Sequence, residues 1–469
     1  MTLLVLGGYF ALLLAIGLFA QRASRGSGED WFTASRSLGP FVLLMTLFGT
    51  HMTSFSLLGA SGEAYHRGVG VFALLAATSA LVVPAVFQYV GLPVWRLGRQ
   101  HGYVTQVQYF RDRWGSSSLG TGIFVALVVL LVPYLMIGIK GGGLTIVEAS
   151  GGSVPEWLGS LLVCLVVLAY VSAGGLRGTA WANTFQTIFF VTLGFLAFLV
   201  VMRGLGGLGP ALATVAETKP ELLQGRSIPF LEQLSYLAIP LSVGMFPHIF
   251  LLWLTAKKAE TFRPTIYLYP LCIAVVWIPS VLVGVVGAGA VPGLVGAASN
   301  NILPRLVAMH SGELMTGLLA AGVLAAGSLD SQILALSSMF TLDIVGRRRS
   351  LSDRAQLWWG RVFVFALLAV SYLCSLQANR SLFKLGVWSF TGFAALFPLL
   401  VAALYWRRSN ATGAWASLLT AGGLFAFFFQ RGFANPTYTV GGTGLLPVAV
   451  ILPAAALAMV VGTWWGEKR

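Results

Sequence analysis

Runs of about twenty apolar residues, each long enough to cross the hydrocarbon core of a bilayer as one helix, recur about thirteen times along this chain and leave little between them. Candidate spans lie near 2–20, 41–60, 69–95, 118–140, 156–173, 181–203, 235–256, 264–290, 312–342, 358–376, 382–406, 412–430 and 444–465. The longest connection, about 204–234, holds glycine, proline and scattered charges and suits a loop with short surface helices. Nothing remains for a second soluble domain, so residues 1–469 read as a single all-α integral membrane domain. Composition agrees: 57% of the residues are hydrophobic and 9% charged, where soluble domains carry about a quarter charged.

The formal net charge of +14 would raise the question of nucleic acid in a soluble protein. Here topology accounts for it. With the N-terminus outside and the C-terminus in the cytoplasm, 20 of the 29 Lys and Arg residues fall in inner loops, among them Arg96, Arg99, Arg111, Arg113, Lys257, Lys258, Arg347, Arg354 and Arg361. The opposite orientation inverts that bias, so the positive-inside rule favours a multi-pass protein of the cell's inner (plasma) membrane in this orientation. The bilayer is the partner this charge pattern implies, and nucleic acid is not. Arg22 and Arg25 follow the first apolar run instead of preceding it, which marks an uncleaved span and not a secretory signal. Cys164, Cys272 and Cys374 are far apart inside apolar runs and read as packed free thiols. No residue pattern specifies an oligomeric state.

Two spans are interrupted. In 41–60 an apolar half, Phe41 to Phe48, meets Gly49-Thr50-His51-Met52-Thr53-Ser54 before apolar character resumes at Phe55. In 235–256 the sequence Gly244-Met245-Phe246-Pro247-His248 follows Pro240. Polar groups at mid-membrane depth are costly facing lipid, and a proline removes a backbone donor. Either segment alone reads as a kink in a packed helix. Both together, five spans apart and therefore entering from opposite sides, point to broken helices whose half-helix ends and freed carbonyls surround a central solute site. The inverted halves would be 41–203 and 235–406, with one extra helix at 2–20 and two more at 412–465. Candidate solute contacts are His51, Thr53, Ser54, Tyr134, Gly244, Phe246 and His248.

Asp30-Trp31-Phe32-Thr33-Ala34-Ser35-Arg36-Ser37-Leu38-Gly39-Pro40 resembles the sodium:solute symporter family. So do Gly174-Gly175-Leu176-Arg177 with Trp181 and Gln186, Phe246-Pro247-His248, and Ser328-Leu329-Asp330-Ser331-Gln332 continuing through Ser337-Ser338 to Asp343-Ile344. These pieces run in order from about residue 29 to 345 and look closest to the branch that carries proline, pantothenate and monocarboxylates. The resemblance implies a leucine-transporter-like fold of five plus five inverted helices, alternating access, and a sodium site between the first broken helix and the ninth span. Carried over by position, that site takes carbonyls of Gly49, Met52 and Leu324 and side chains at Gly327 and Ser328. Of the last two only Ser328 offers a hydroxyl, whereas hard cations prefer several oxygen ligands. His51 stands where the family often has an acid or amide, and Asn183 where it often has Asp.

Single residues keep alternatives. His51, with an ordinary pKa near 6.5, reads as a proton carrier or anion contact, or as a neutral ring satisfying loose carbonyls. Asp330 holds the ninth span through nearby hydroxyls and amides, or serves ion release to the cytoplasm. His248 reads as a satisfier of the second break, Lys140 as a snorkelling side chain, and Gly141-Gly142-Gly143 as a place of close helix approach. The expected function is secondary active symport of a small organic solute, read as a carboxylate, coupled to Na+ or H+. The alternative is a membrane sensor that binds such a solute without pumping it; its output domain would sit on a separate partner. No nucleophile–base pair or metal cluster supports an enzyme.

Overall fold

The computed structural model describes residues 1–23, 38–326, 329–347, 351–377, 381–433, 435 and 438–467. Asp30–Ser37 of the first family-like segment, and the candidate ligands Gly327 and Ser328, lie outside them. Among the described residues the chain is helical throughout, with no strand beyond one isolated backbone bridge between Leu38 and Ala256. Among the described residues, nine helices are long and apolar enough to cross a membrane: Gly70–His101, Ser117–Ala149, Thr179–Gly204, Ala259–Ala290, Glu313–Val345, Asp353–Gln377, Leu382–Tyr405, Ala411–Gly432 and Val448–Glu467. Thr2–Ile16 and Glu156–Ser172 are shorter apolar helices.

The helix assigned from Glu156 to Gly204 has 49 residues. Straight, it would extend about 74 Å at 1.5 Å per residue, over twice a bilayer core. Its two ends instead reach the same side. The Trp157 carbonyl accepts from Tyr372 near the end of Asp353–Gln377, and Gly204 packs on His310 just before Glu313. Arg361, near the start of Asp353–Gln377, reaches the Ser172 carbonyl.

Two further helix pairs are bent at short breaks. We label Pro40–His51 α1 and Phe55–Arg67 α2, bent by 57°, and Phe230–Gly244 α3 and Pro247–Thr255 α4, bent by 52°. Each break has a local cause. Met52 closes the last turn of α1 onto the Phe48 carbonyl and then turns extended (φ −84°, ψ 118°). Phe246 is extended as well (φ −62°, ψ 121°), and Pro247 opens α4 where its missing N–H costs nothing.

The entrance to α1 lies against the exit of α4: the Leu38 amide donates to the Thr255 carbonyl at 3.2 Å and the Lys257 amide to the Leu38 carbonyl at 3.1 Å. The end of α2 lies against the start of α3, where Arg67 pairs with Glu232 at 2.7 Å. The two bent pairs thus run in opposite directions and are tied to one another at both ends.

Around this centre the helices grade from buried to lipid-facing. The most apolar window of Glu313–Val345 is 87% buried in protein, whereas those of Asp353–Gln377, Ala411–Gly432 and Val448–Glu467 are 33% buried. The peripheral helices turn large side chains such as Phe365, Leu419, Leu457 and Trp464 outward. Lys140 does not snorkel; it is buried and forms an ion pair with Glu156 at 2.6 Å. A buried ammonium keeps its charge at lower cost with a carboxylate at hand. Gly141, Gly142 and Gly143 do mark close approach: a Cβ on them would press on Ser54, on Val163 and Leu324, and on Ser160.

Candidate functional site

A break in a membrane helix strands backbone groups where no water can reach them, so other side chains must satisfy them. At the first break Thr53 turns its hydroxyl onto the Phe55 amide (3.2 Å), and its carbonyl accepts the Ser56 amide (2.8 Å), which starts α2. The carbonyls of Thr50 and His51 are met by the hydroxyl of Tyr134, which donates to both at 3.4 Å. At the second break the freed carbonyl of Met245 accepts from Gln106 Nε2 at 3.4 Å.

The breaks touch. The His51 ring lies 6.2 Å from that of Phe246, and Tyr134 stacks on Phe246 at 5.1 Å and on His248 at 5.9 Å. Phe390 closes edge-on over both Tyr134 and Phe246. On the other side of His51, Nδ1 hydrogen-bonds the Tyr269 hydroxyl. Beside these rings is a cavity of ≈ 20 Å³, lined by His51, Phe55, Thr78, Ser79, Tyr236, Ser242, Trp277 and Phe390 among others. That is room for about one water, so the centre is closed around itself in this conformation.

Of the seven candidate solute contacts, four come together here: His51, Tyr134, Phe246 and His248. Only His51 lines the cavity itself. Thr53 is spent on its cap. Ser54 faces Gly141, its hydroxyl buried without a partner. Gly244 lies against the ring of Phe397, where a Cβ would come within 2.7 Å. Neither ring nitrogen of His248 makes a hydrogen bond of ordinary geometry among the described residues, and the ring lies beside the Thr50 backbone of the first break. Sequence reasoning missed Tyr236, Trp277, Phe390 and Tyr269. All sit in apolar stretches and carry no local signal of a break.

Of the candidate sodium ligands, Gly49 is pressed against Thr187 and the Asn183 carbonyl, Met52 ends α1, and Leu324 packs on Gly142. Gly327 and Ser328 are not described. Next to them a polar relay crosses from the first broken helix to the ninth span. Thr187 donates to the carbonyls of Met45 (2.9 Å) and Asn183 (2.6 Å). Asn183 Nδ2 donates to Ser331 Oγ (2.6 Å), and the Ser331 amide to Asp330 Oδ1 (2.7 Å). Asp330 Oδ2 and Asn183 Oδ1 are buried with no hydrogen-bond partner among the described residues. Tyr170 is a further neutral neighbour of the Asp330 carboxylate, and a buried carboxylate with only neutral donors around it favours a positive neighbour.

Ionic contacts close the two ends. On one, Arg67 holds Glu232 with both Nη atoms (2.7 Å each) and Glu63 at 3.3 Å. On the other, Thr105 caps the short helix Gln106–Trp114 and donates to Asp343 Oδ2 at 2.5 Å, while Arg111 reaches Asp343 Oδ1 at 3.4 Å.

Comparison with known proteins gives this arrangement its context. A family model described as "Sodium:solute symporter family" matches residues 31–421. The osmoregulated proline transporter OpuE of Bacillus subtilis is 27% identical, over 97% of this chain and 92% of its own. The sodium/pantothenate symporter of Escherichia coli is 25% identical, over 100% and 97%. Among solved structures, a Na+-coupled sialic acid symporter in a substrate-bound outward-open state superposes with a TM-score of 0.82 at 16% identity, covering 99% of this chain and 98% of that one. The transporter MhsT in complex with L-phenylalanine gives 0.58 at 11%, covering 90% and 97%. These neighbours share the leucine-transporter-like fold.

Proposed function

Because this chain belongs to the sodium:solute symporter family, and so is a cation-coupled solute transporter of the membrane and not an enzyme, we propose that it carries a small carboxylate inward by alternating access, with Na+ as co-substrate. The observation that carries this reading is the meeting of the two breaks. Oppositely directed broken helices bring His51, Tyr134, Phe246 and His248 together beside a cavity walled by aromatic rings. The half-helices α2 and α4 begin at the breaks, and helix N-termini favour negative charge. None of the residues lining the cavity is Lys, Arg, Asp or Glu, so an anionic solute meets dipoles and neutral donors there. The proline and pantothenate carried by the named relatives both bear a carboxylate.

The same reading takes about thirteen spans, with the N-terminus outside, inverted halves at 41–203 and 235–406, and extra helices at 2–20 and 412–465. Sodium would be held by carbonyls of Gly49, Met52 and Leu324 and by Ser328, with Gly327 adding no side-chain oxygen. The unpartnered oxygens of Asp330 and Asn183 support a cation passing nearby. A membrane potential contributes about 2.3 kcal/mol per charge per 100 mV, so one Na+ sustains a solute gradient of about fifty-fold on that term alone.

Uptake into proteoliposomes, measured over a panel of labelled carboxylates with sodium and proton gradients imposed separately, tests the proposal. Accumulation driven by sodium and lost in Ser328→Ala is the expected result. Accumulation driven by a proton gradient alone would replace Na+ by H+. Saturable binding with no accumulation under any gradient would overturn transport in favour of a sensor.

A further inference from the structure

The contact between His51 and Tyr269 fixes more than position. Tyr269 lies in Ala259–Ala290 and is fully buried. Its ring is met edge-on by Phe48 (5.4 Å, 82°) and Phe87 (5.2 Å, 87°) and stacks on His51 (6.0 Å, 23°). Among the described residues its hydroxyl has one hydrogen-bond partner, His51 Nδ1. A neutral imidazole carries one proton, and its position decides which nitrogen donates and which accepts. If Nδ1 carried it, Nδ1 would donate to the tyrosine oxygen, and the hydroxyl hydrogen would be stranded among aromatic rings. A buried donor without an acceptor is costly. If the hydroxyl donates to Nδ1 instead, every group is satisfied and the imidazole proton sits on Nε2.

His51 lines the cavity, and Nε2 has no protein partner among the described residues. The tautomer set at one end of the ring therefore turns the other end into a donor. Trp277 lines the same cavity, and its indole N–H is buried with no acceptor among the described residues. A tryptophan indole can only donate.

The geometry points to Tyr269 as a positioning residue: by accepting the Tyr269 proton at Nδ1, His51 presents an uncharged Nε2–H to an oxygen of the solute, and this selects a carboxylate over its amide or amine counterpart. The inference rests on the transport reading above and names the feature of the solute which that site reads. A carboxylate oxygen accepts from Nε2–H, from the Trp277 N–H, or from both. An amide presents its NH2 group to one donor or the other, and an amine presents no acceptor. The wall formed by Phe55, Phe390 and Trp277 then takes the apolar body of the solute. Tyr269 does not line the cavity, and its hydroxyl bonds only His51 among the described residues, so its effect on the solute is exerted through that ring.

Two measurements on the full-length protein test this. The first is nitrogen NMR of histidine-labelled protein in nanodiscs at pH 7.5, with the resonance assigned by its loss in His51→Gln; it needs no substrate. The wild type is expected to show the Nε2–H tautomer, and Tyr269→Phe a mixture. An Nδ1–H tautomer in the wild type, or an unchanged spectrum in Tyr269→Phe, overturns the inference even if transport stands. The second is uptake of L-proline, pantothenate and propionate, each competed with its amide. Tyr269→Phe should raise the KM of the transported carboxylate roughly tenfold, the worth of one oriented hydrogen bond, narrow the preference over the amide, and leave the maximal rate within about twofold. In His51→Gln, whose side-chain amide donates without help, adding Tyr269→Phe should change KM no further. Equal effects of Tyr269→Phe in both backgrounds would mean a packing role and sink the inference. If none of the three is accumulated, the transport reading is what fails, and the tautomer still decides the inference.

Discussion

Replacing Arg67 by Met should uncouple the end of α2 from the start of α3. The guanidinium makes two 2.7 Å bonds to Glu232 and one of 3.3 Å to Glu63. The carboxylate side chains are only 12% and 11% exposed, and Arg67 is 24% exposed. Exposed pairs contribute about 0–1 kcal/mol, and removing one partner of a buried pair costs about 3–5 kcal/mol. This site, mostly shielded and bidentate, falls between, at about 2–3 kcal/mol. Much of that cost is the two carboxylates left facing each other, so Arg67→Met with Glu232→Gln should recover at least half of it. Thermal unfolding in detergent of the wild type, both single variants and the double variant gives the coupling directly. Its loss should let α2 part from α3 and so also speed labelling of a cysteine placed at Ser79, on the cavity wall. A coupling below about 0.5 kcal/mol, the additivity expected of independent sites, would refute the reasoning, because the contact would then be a solvated surface pair.

Three further perturbations follow from the same geometry. Tyr134→Phe removes the donor shared by the Thr50 and His51 carbonyls; it should cost about 1 kcal/mol in stability and show a larger loss in uptake, read as the maximal rate against KM. Gly49→Ala sets a methyl group onto Thr187 Oγ1 and should destabilise by about 1–3 kcal/mol; Thr187→Ala in the same chain should restore most of it in thermal unfolding. Asp343→Asn weakens the pairing with Arg111 and the bond from Thr105, and should raise protease sensitivity of the connection at 102–105 while leaving solute binding intact.

The breaks were legible because each combines a helix-breaking residue with polar neighbours at a depth where lipid tolerates neither: Gly49 to Ser54 in one, Gly244 to His248 with Pro247 in the other. Tyr134 could be proposed from its place after Pro133. What the sequence does not reveal is which face of an apolar helix looks inward. In water, polarity marks the outer face. In a bilayer both faces are apolar, because lipid tails are as apolar as leucine. Trp277 and Phe390 on the cavity side, and Tyr269 behind His51, therefore look like the exposed Tyr267, Leu271 and Trp358, and only packing separates them. The same blindness misplaced Lys140, whose partner Glu156 lies beyond the turn that joins two helices. Nor does the sequence reveal that Phe397 packs directly against Gly244.

The ties at both ends of the broken helices also limit how the centre can open. At one end, α1 and α4 share backbone hydrogen bonds at Leu38, Thr255 and Lys257, and Trp95 donates to the Ala256 carbonyl at 2.9 Å. At the other, Arg67 holds α2 to α3. A motion that separated one broken helix from the other would have to break both sets at once. Moving the two together against Leu382–Tyr405 breaks neither. The contacts at that boundary are aromatic and close-packed: Phe55 on Phe383 and Phe390 at 5.1 and 5.4 Å, and Gly59 against the Phe383 backbone. Aromatic pairs of this kind are worth about 0.5–1.5 kcal/mol each. A few of them sum to an opening cost within the few kcal/mol that a binding solute and cation can shift. Alternating access in this chain is therefore expected at the Phe55–Phe383–Phe390 boundary. A disulfide joining α2 to Leu382–Tyr405 there should stop turnover, whereas one joining α2 to α3 should not. Arrest by the second and not the first would place the moving boundary between the broken helices themselves.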